Sequence, residues 1–211
     1  MVLSDGQVER YSRQIIVPGI GGRAQERLLH ARIVLAGDLA QIEAPLAYLI
    51  GAGVGAIDLA IADLPNEALA LAERMRGLNS DVTVRSNLER GSRYDLVAAF
   101  VATAASLATV ANLAESVAPC AFVIARLDSP PRIGVFPNTS PCPLCARQLV
   151  LNPSAKRASE AGLVSMLATT EVFKLLVRYS PHAEATVIDL AEYQSRPSRV
   201  ISARDCRCAK A

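Results

Sequence analysis

The five cysteines are of two kinds. Cys120 stands alone in an apolar stretch, whereas Cys142 and Cys145 enclose Pro143 and Leu144, and Cys206 and Cys208 enclose Arg207. Two intervening residues let two thiolates face one ion, and a second pair can complete a tetrahedral set of four sulfurs. With no ligand position left open and no histidine nearby in sequence, a zinc ion held by Cys142, Cys145, Cys206 and Cys208 would be structural, tying the C-terminal segment to the body of the chain. Reduced free thiols or a redox pair are the competing readings. Cys120 reads as a small core residue. His30 and His182 are isolated and are not leading catalytic candidates.

Charge excludes more than it proposes. The 211 residues carry 22 Lys and Arg against 20 Asp and Glu, a net charge of +2, so no strong field exists to draw nucleic acid or an anionic membrane. Lysine occurs only at 156, 174 and 210. Whatever the first 155 residues do with phosphate is done without the compact ammonium common in nucleotide sites, although an Arg- and Ala-rich proteome explains the same count. Met1 to Arg13 contains Asp5, Glu9, Arg10 and Arg13 and no apolar core, which is unlike a signal peptide. Apolar runs such as Leu96 to Val101 are too short to span a bilayer. A cytoplasmic, reducing location is expected, where paired cysteines suggest metal before disulfide.

The elements that must position these residues alternate. Arg32 to Ala36, Ala56 to Ile61, Asp81 to Ser86, Tyr94 to Val101 and Cys120 to Ala125 read as strands. Helical spacing covers Gln41 to Ile50, Asn66 to Leu78 with Asn66 as cap, and Ala104 to Val117. This predicts an α/β, doubly wound, mostly parallel Rossmann-like sheet with its ligand crevice at the strands' carboxyl ends. Beyond it come a strand at Arg132 to Phe136, the Pro-rich cysteine knuckle, a long helix near Gly162 to Tyr179, and strands at Ala185 to Leu190 and Ser198 to Ser202. The division expected is a helical arm over 1–30, a Rossmann-like core over 31–130 and a zinc-tied helix and strand extension over 131–211, all one domain.

Arg10-Tyr11-Ser12-Arg13-Gln14-Ile15-Ile16, then Pro18, Gly19-Ile20, Gln25 and Ala31-Arg32-Ile33-Val34, resembles the N-terminal signature of the ThiF/MoeB/HesA family, bacterial relatives of the ubiquitin-activating E1 enzymes. Ala52-Gly53-Val54-Gly55, Tyr94-Asp95-Leu96-Val97, the two cysteine pairs and Glu160-Ala161-Gly162 agree with that family in order. The resemblance implies a fold that, in active members, uses ATP and magnesium to adenylate the C-terminal glycine of a small ubiquitin-like or sulfur-carrier protein. It also implies zinc at the cysteines, and at Arg13 an arginine that reaches across a dimer to the nucleotide of the partner subunit.

The chemistry does not carry over residue by residue. Of the family's glycine-rich turn only Gly37 remains in Gly37-Asp38-Leu39-Ala40-Gln41-Ile42, where Asp38 would repel a triphosphate and the side chains of Leu39 and Ile42 would obstruct it. The ribose-binding acid falls on Ile61, with Asp63 two residues later; the segment bearing Asn, Arg and Lys is missing; the magnesium ligand falls on Ala102, beside Thr103; and Lys156 to Glu160 contains no thiol. ATP and magnesium are therefore not expected, and Gly37 and Asp63 are read as vestiges of a nucleotide site. The leading expectation is a pseudoenzyme, a dimeric, non-catalytic partner or scaffold for an active E1-like subunit or a carrier protein. The alternative is a divergent adenylyltransferase acting on a ThiS/MoaD-like carrier, with Arg74, Arg93 or Arg126 replacing lysine. A binding module using an Ala-rich crevice lined by Ala98, Ala99, Ala102, Ala104 and Ala105 ranks third.

Overall fold

The computed structural model describes residues 3–61, 65–89, 91–117, 120–128, 130–138, 140–150, 161–179, 184–191, 194–206 and 208. Three helices open the chain: α1 (Asp5–Arg10), α2 (Ser12–Ile15) and α3 (Gly21–His30). Then follow β1 (Arg32–Gly37), α4 (Leu39–Ala52), β2 (Ala56–Ala60), α5 (Pro65–Met75), β3 (Thr83–Arg85), β4 (Leu96–Val101), α6 (Ala104–Ser116) and β5 (Ala121–Arg126). The remainder is β6 (Arg132–Phe136), a 3-10 turn (Pro143–Ala146), α7 (Arg147–Val150), α8 (Ala161–Val177), β7 (Thr186–Ala191) and β8 (Gln194–Arg199).

One eight-stranded sheet has the order β3-β2-β1-β4-β5-β6-β7-β8. Its first five members pair in parallel and the last three continue antiparallel. Ile33 to Ala36 of β1 and the whole of β4 are apolar on both sides because both sides are covered. Ile33 and Leu35 of β1 join the cluster under α3, α4, α5 and α8, whereas Val34 and Ala36 join the one under α6 and α7. In α4 the stripe Ile42, Leu46, Leu49 and Ile50 is buried at helical spacing. Gly53, at φ 87, ends that helix in the left-handed conformation, donating its N–H to the Ile50 carbonyl.

Two expectations shift. α5 begins at Pro65, which places Asn66 in the first turn rather than at the cap. This is the usual place for proline, whose missing N–H would have had no helical partner there. The final strand is Gln194–Arg199, not Ser198 to Ser202, because it is set by a hairpin with β7 running from Ala191↔Gln194 to Thr186↔Arg199. Residues 195–199 are exposed, so this edge strand has no apolar run to announce it.

Candidate functional site

In a doubly wound sheet the ligand crevice lies where neighbouring strands send their helices to opposite faces, here between β1 and β4 at their carboxyl ends. Asp38, directly after β1, occupies that place. Its Oδ2 accepts the Ala102 N–H at 2.6 Å and the Ser106 hydroxyl at 2.8 Å, while Oδ1 accepts the Thr103 hydroxyl at 2.8 Å. Thr103 is also the N-cap of α6, accepting from the Ser106 N–H. A carboxylate therefore sits at the positive end of α6 as its built-in counter-charge. It makes no cap bond to its own helix, α4.

Several residues around the crevice have other duties. At φ 131, Gly37 is placed so that a Cβ would lie 2.0 Å from the Phe100 carbonyl oxygen, so this glycine lets β1 and β4 close on each other. Ile42 is fully buried in the core, so the obstruction expected from it is corrected, whereas Leu39 is only partly buried against that core. Ala98 and Ala99 are likewise core residues rather than crevice lining. Arg74 pairs with Glu43 at 2.7 Å. Arg126 is buried and forked onto Asp128. Arg93 precedes β4 and lies at the other end of the strand. Asp63 and Lys156 to Glu160 lie outside the described residues.

The arm residues divide by role. Tyr11 is buried, its hydroxyl donating to Asp81 at 3.0 Å and accepting from Asn79 at 2.9 Å, and Arg10 reaches Asn79, Ser80 and Asp81. Burial raises the Tyr11 pKa, the Asn79 hydrogen bond working against it. A Cβ on Gly53 would fall 2.7 Å from the Tyr11 ring and 2.8 Å from Gln25 Nε2, and one on Gly55 would meet the Leu29 carbonyl oxygen at 2.0 Å. The signature Arg10, Tyr11, Gln25, Gly53 and Gly55 is thus the seam between arm and sheet. Arg13 stands apart, exposed on α2, and makes no ion pair among the described residues.

A buried ionic cluster went unread in the sequence. Asp58, fully buried in β2, meets Arg32 at 2.9 Å, Arg85 at 3.3 Å and the Tyr94 hydroxyl at 2.8 Å, and Arg32 also pairs with Glu89. Burial, reinforced by Asp58, pushes the Tyr94 hydroxyl up to about 12, and the Arg32 guanidinium lowers the Glu89 carboxyl. The available signal was a carboxylate inside the apolar run Ala56 to Ile61, which demands a partner.

The cysteines converge as their spacing requires. The sulfurs of Cys142, Cys145, Cys206 and Cys208 all lie within 4.8 Å of one another, with Cys142–Cys206 at 3.5 Å and Cys145–Cys208 at 3.3 Å. Four soft donors so gathered could hold a metal ion, and the donor set fits a tetrahedral thiolate site with zinc–sulfur bonds of about 2.3 Å. Burial, aided by the neighbouring sulfurs, pushes the Cys142 thiol up to about 12. At Cys208 burial is outweighed by hydrogen bonds from the Cys142 backbone and from Cys145 and Cys206, which bring it down to about 7. Cys120 is the expected core residue, raised to about 11 by burial.

No family model matches the chain. Over 66 residues, 31% of this chain, it is 39% identical to the probable adenylyltransferase/sulfurtransferase MoeZ of Mycobacterium tuberculosis, and the match spans 17% of that relative's length. The fold is similar to that of Escherichia coli MccB solved with MccA-N7isoASN, with a TM-score of 0.69 at 16% identity over 99% of this chain and 76% of that one. MccB solved with ATP gives 0.68 at 15% identity over 96% and 75%, and PaaA gives 0.62 at 17% over 94% and 75%. In sequence the chain resembles MoeZ over those 66 residues, and in fold it resembles MccB and PaaA over nearly all of its length.

Proposed function

We propose that this chain is an E1-like subunit that has given up adenylation and acts as a non-catalytic dimer partner or scaffold in the activation of a ubiquitin-like or sulfur-carrier protein. The observation that carries the reading is the Asp38 carboxylate, bound by Ala102, Thr103 and Ser106 across the β1–β4 crevice. A unit negative charge brought within about 4 Å of it meets a repulsion on the order of 4 kcal/mol at an effective dielectric of 20. Magnesium would ordinarily offset such charge, yet the position that the resemblance assigns to its ligand is Ala102, whose backbone serves Asp38 instead.

The arm supports assembly. Close in sequence to exposed Arg13, Ile16 and Val17, which follow α2, are 77% and 40% exposed. Leu163 and Leu167 of α8 are exposed as well and are suited to burial by a second subunit. The four cysteines would carry structural zinc.

Carrier-dependent ATP–pyrophosphate exchange tests the reading. The purified chain alone gives no exchange with any ThiS- or MoaD-like carrier, and Arg13→Ala lowers the adenylation rate of a co-purified active subunit. Turnover by the chain alone overturns the pseudoenzyme reading in favour of a divergent adenylyltransferase, and an unchanged rate with Arg13→Ala removes the arginine-finger role.

A further inference from the structure

A cavity of about 390 Å³ opens at the amino-terminal edge of β4 and β5, the opposite end of the sheet from the Asp38 crevice. Its wall includes Arg27 and His30 of α3, Asp95 and Ala121 at the strand edge, and Leu176 and Arg178 at the end of α8. Two arginines belong to this wall. Arg27 donates through Nη2 to the Val177 carbonyl at 2.7 Å, which ties α3 to the end of α8 and fixes this side chain at the cavity. Arg178 adopts φ 58, the left-handed conformation in which glycine ends helices without strain. It closes α8 through its own N–H to Leu175 and the Tyr179 N–H to Lys174. A glycine would make that closure more easily; an arginine adds a second cation to the cavity wall.

The remaining polar groups leave the balance positive. Oδ2 of Asp95 already accepts the Arg32 N–H at 2.8 Å. His30 is held through Nδ1 by the Glu26 carbonyl at 2.7 Å, leaving its second ring nitrogen without a partner among the described residues. We propose that this cavity is a binding site for a small organic carboxylate, held by the guanidiniums of Arg27 and Arg178 with its carbon body against Leu176 and Ala121. A carboxylate matches the planar donors of guanidinium, and the volume falls within the roughly 300–1,000 Å³ of small-molecule sites. Apolar wall atoms favour an organic over an inorganic anion.

The test titrates acetate, succinate and adipate, with inorganic phosphate as a separate arm, into the full chain at constant ionic strength, read by amide shifts of Leu96 and Ala121. Saturable binding of at least one carboxylate is expected, weakened at least tenfold by Arg178→Gly. That variant relieves the left-handed strain, so its melting temperature should stay level or rise, separating loss of binding from loss of fold. Leu176→Trp, which fills the cavity, should abolish binding. No saturable carboxylate binding, an unchanged affinity in Arg178→Gly, or phosphate binding as tightly as the best carboxylate would each overturn the assignment.

Discussion

Asp38→Ala is the sharpest perturbation available, because one carboxylate joins the end of β1 to the turn after β4 and the start of α6. The substitution strips the acceptor from the Ala102 N–H at 2.6 Å and from the Thr103 and Ser106 hydroxyls at 2.8 Å each. Hydrogen bonds to a charged group contribute about 1.5–3 kcal/mol each. Asp38 is only half-buried, however, so water can reach the freed donors and the full sum is not lost. A net cost of about 2 kcal/mol follows, since roughly one bond's worth survives resolvation. For a domain of this size that lowers the melting temperature by about 4–8 °C. Asp38→Asn, which keeps the shape but not the charge, should cost nearly as much. Thermal unfolding checks both, and phosphate supplies a second readout: the donors released at the start of α6 form an anion site, so phosphate should stabilise Asp38→Ala and leave the wild-type chain unmoved. A variant within about 0.5 kcal/mol of wild type, the range usual for surface substitutions, or equal phosphate stabilisation of both proteins, would refute the view that this carboxylate is the built-in anion of the crevice.

Gly53→Ala should cost about 2–5 kcal/mol, combining left-handed strain with displacement of Tyr11 or Gln25, whose atoms stand 2.7 Å and 2.8 Å from the new Cβ; denaturant unfolding measures it. Tyr94 titrates near 10.0 when unfolded and about 12 when folded, so its neutral form favours the fold fully below pH 10 and that stability is lost as pH rises through 12. Tyr94→Phe should flatten the alkaline limb of a pH–stability profile between those values, and an unaltered limb would contradict the assignment. One zinc per chain should co-purify, a chelator should lower the melting temperature, and Cys142→Ser should remove both the metal and the chelator's effect; metal analysis with calorimetry reads all three.

The strands and helices of the parallel sheet were legible because each is a local pattern. Ile33 to Ala36 form a short apolar run bounded by a glycine, and Ile42, Leu46, Leu49 and Ile50 recur at helical spacing whatever lies around them. The cysteine pairs were legible for the same reason, since spacing within each pair is itself a geometric constraint. β8 was misplaced because its position follows from pairing with β7 rather than from its own polar residues.

Sequence by itself determined the alternation of elements, the glycines that close turns and the pairing of four thiols, because these depend on residues close along the chain. Tertiary structure decided what the charged side chains do. Asp38 could have pointed at a phosphate, and only the β1–β4 register, which sets Gly37 against Phe100, brings the turn after β4 within its reach. Arg126 could have replaced a lysine, but folding forks it onto Asp128. The cavity of Arg27 and Arg178 is built from α3, α8 and two strand edges, segments separated by 150 residues at the Arg27–Val177 contact. Local periodicity fixes which face a residue occupies, whereas the partner of a charge at a strand end is fixed by contacts between distant segments that no local pattern encodes.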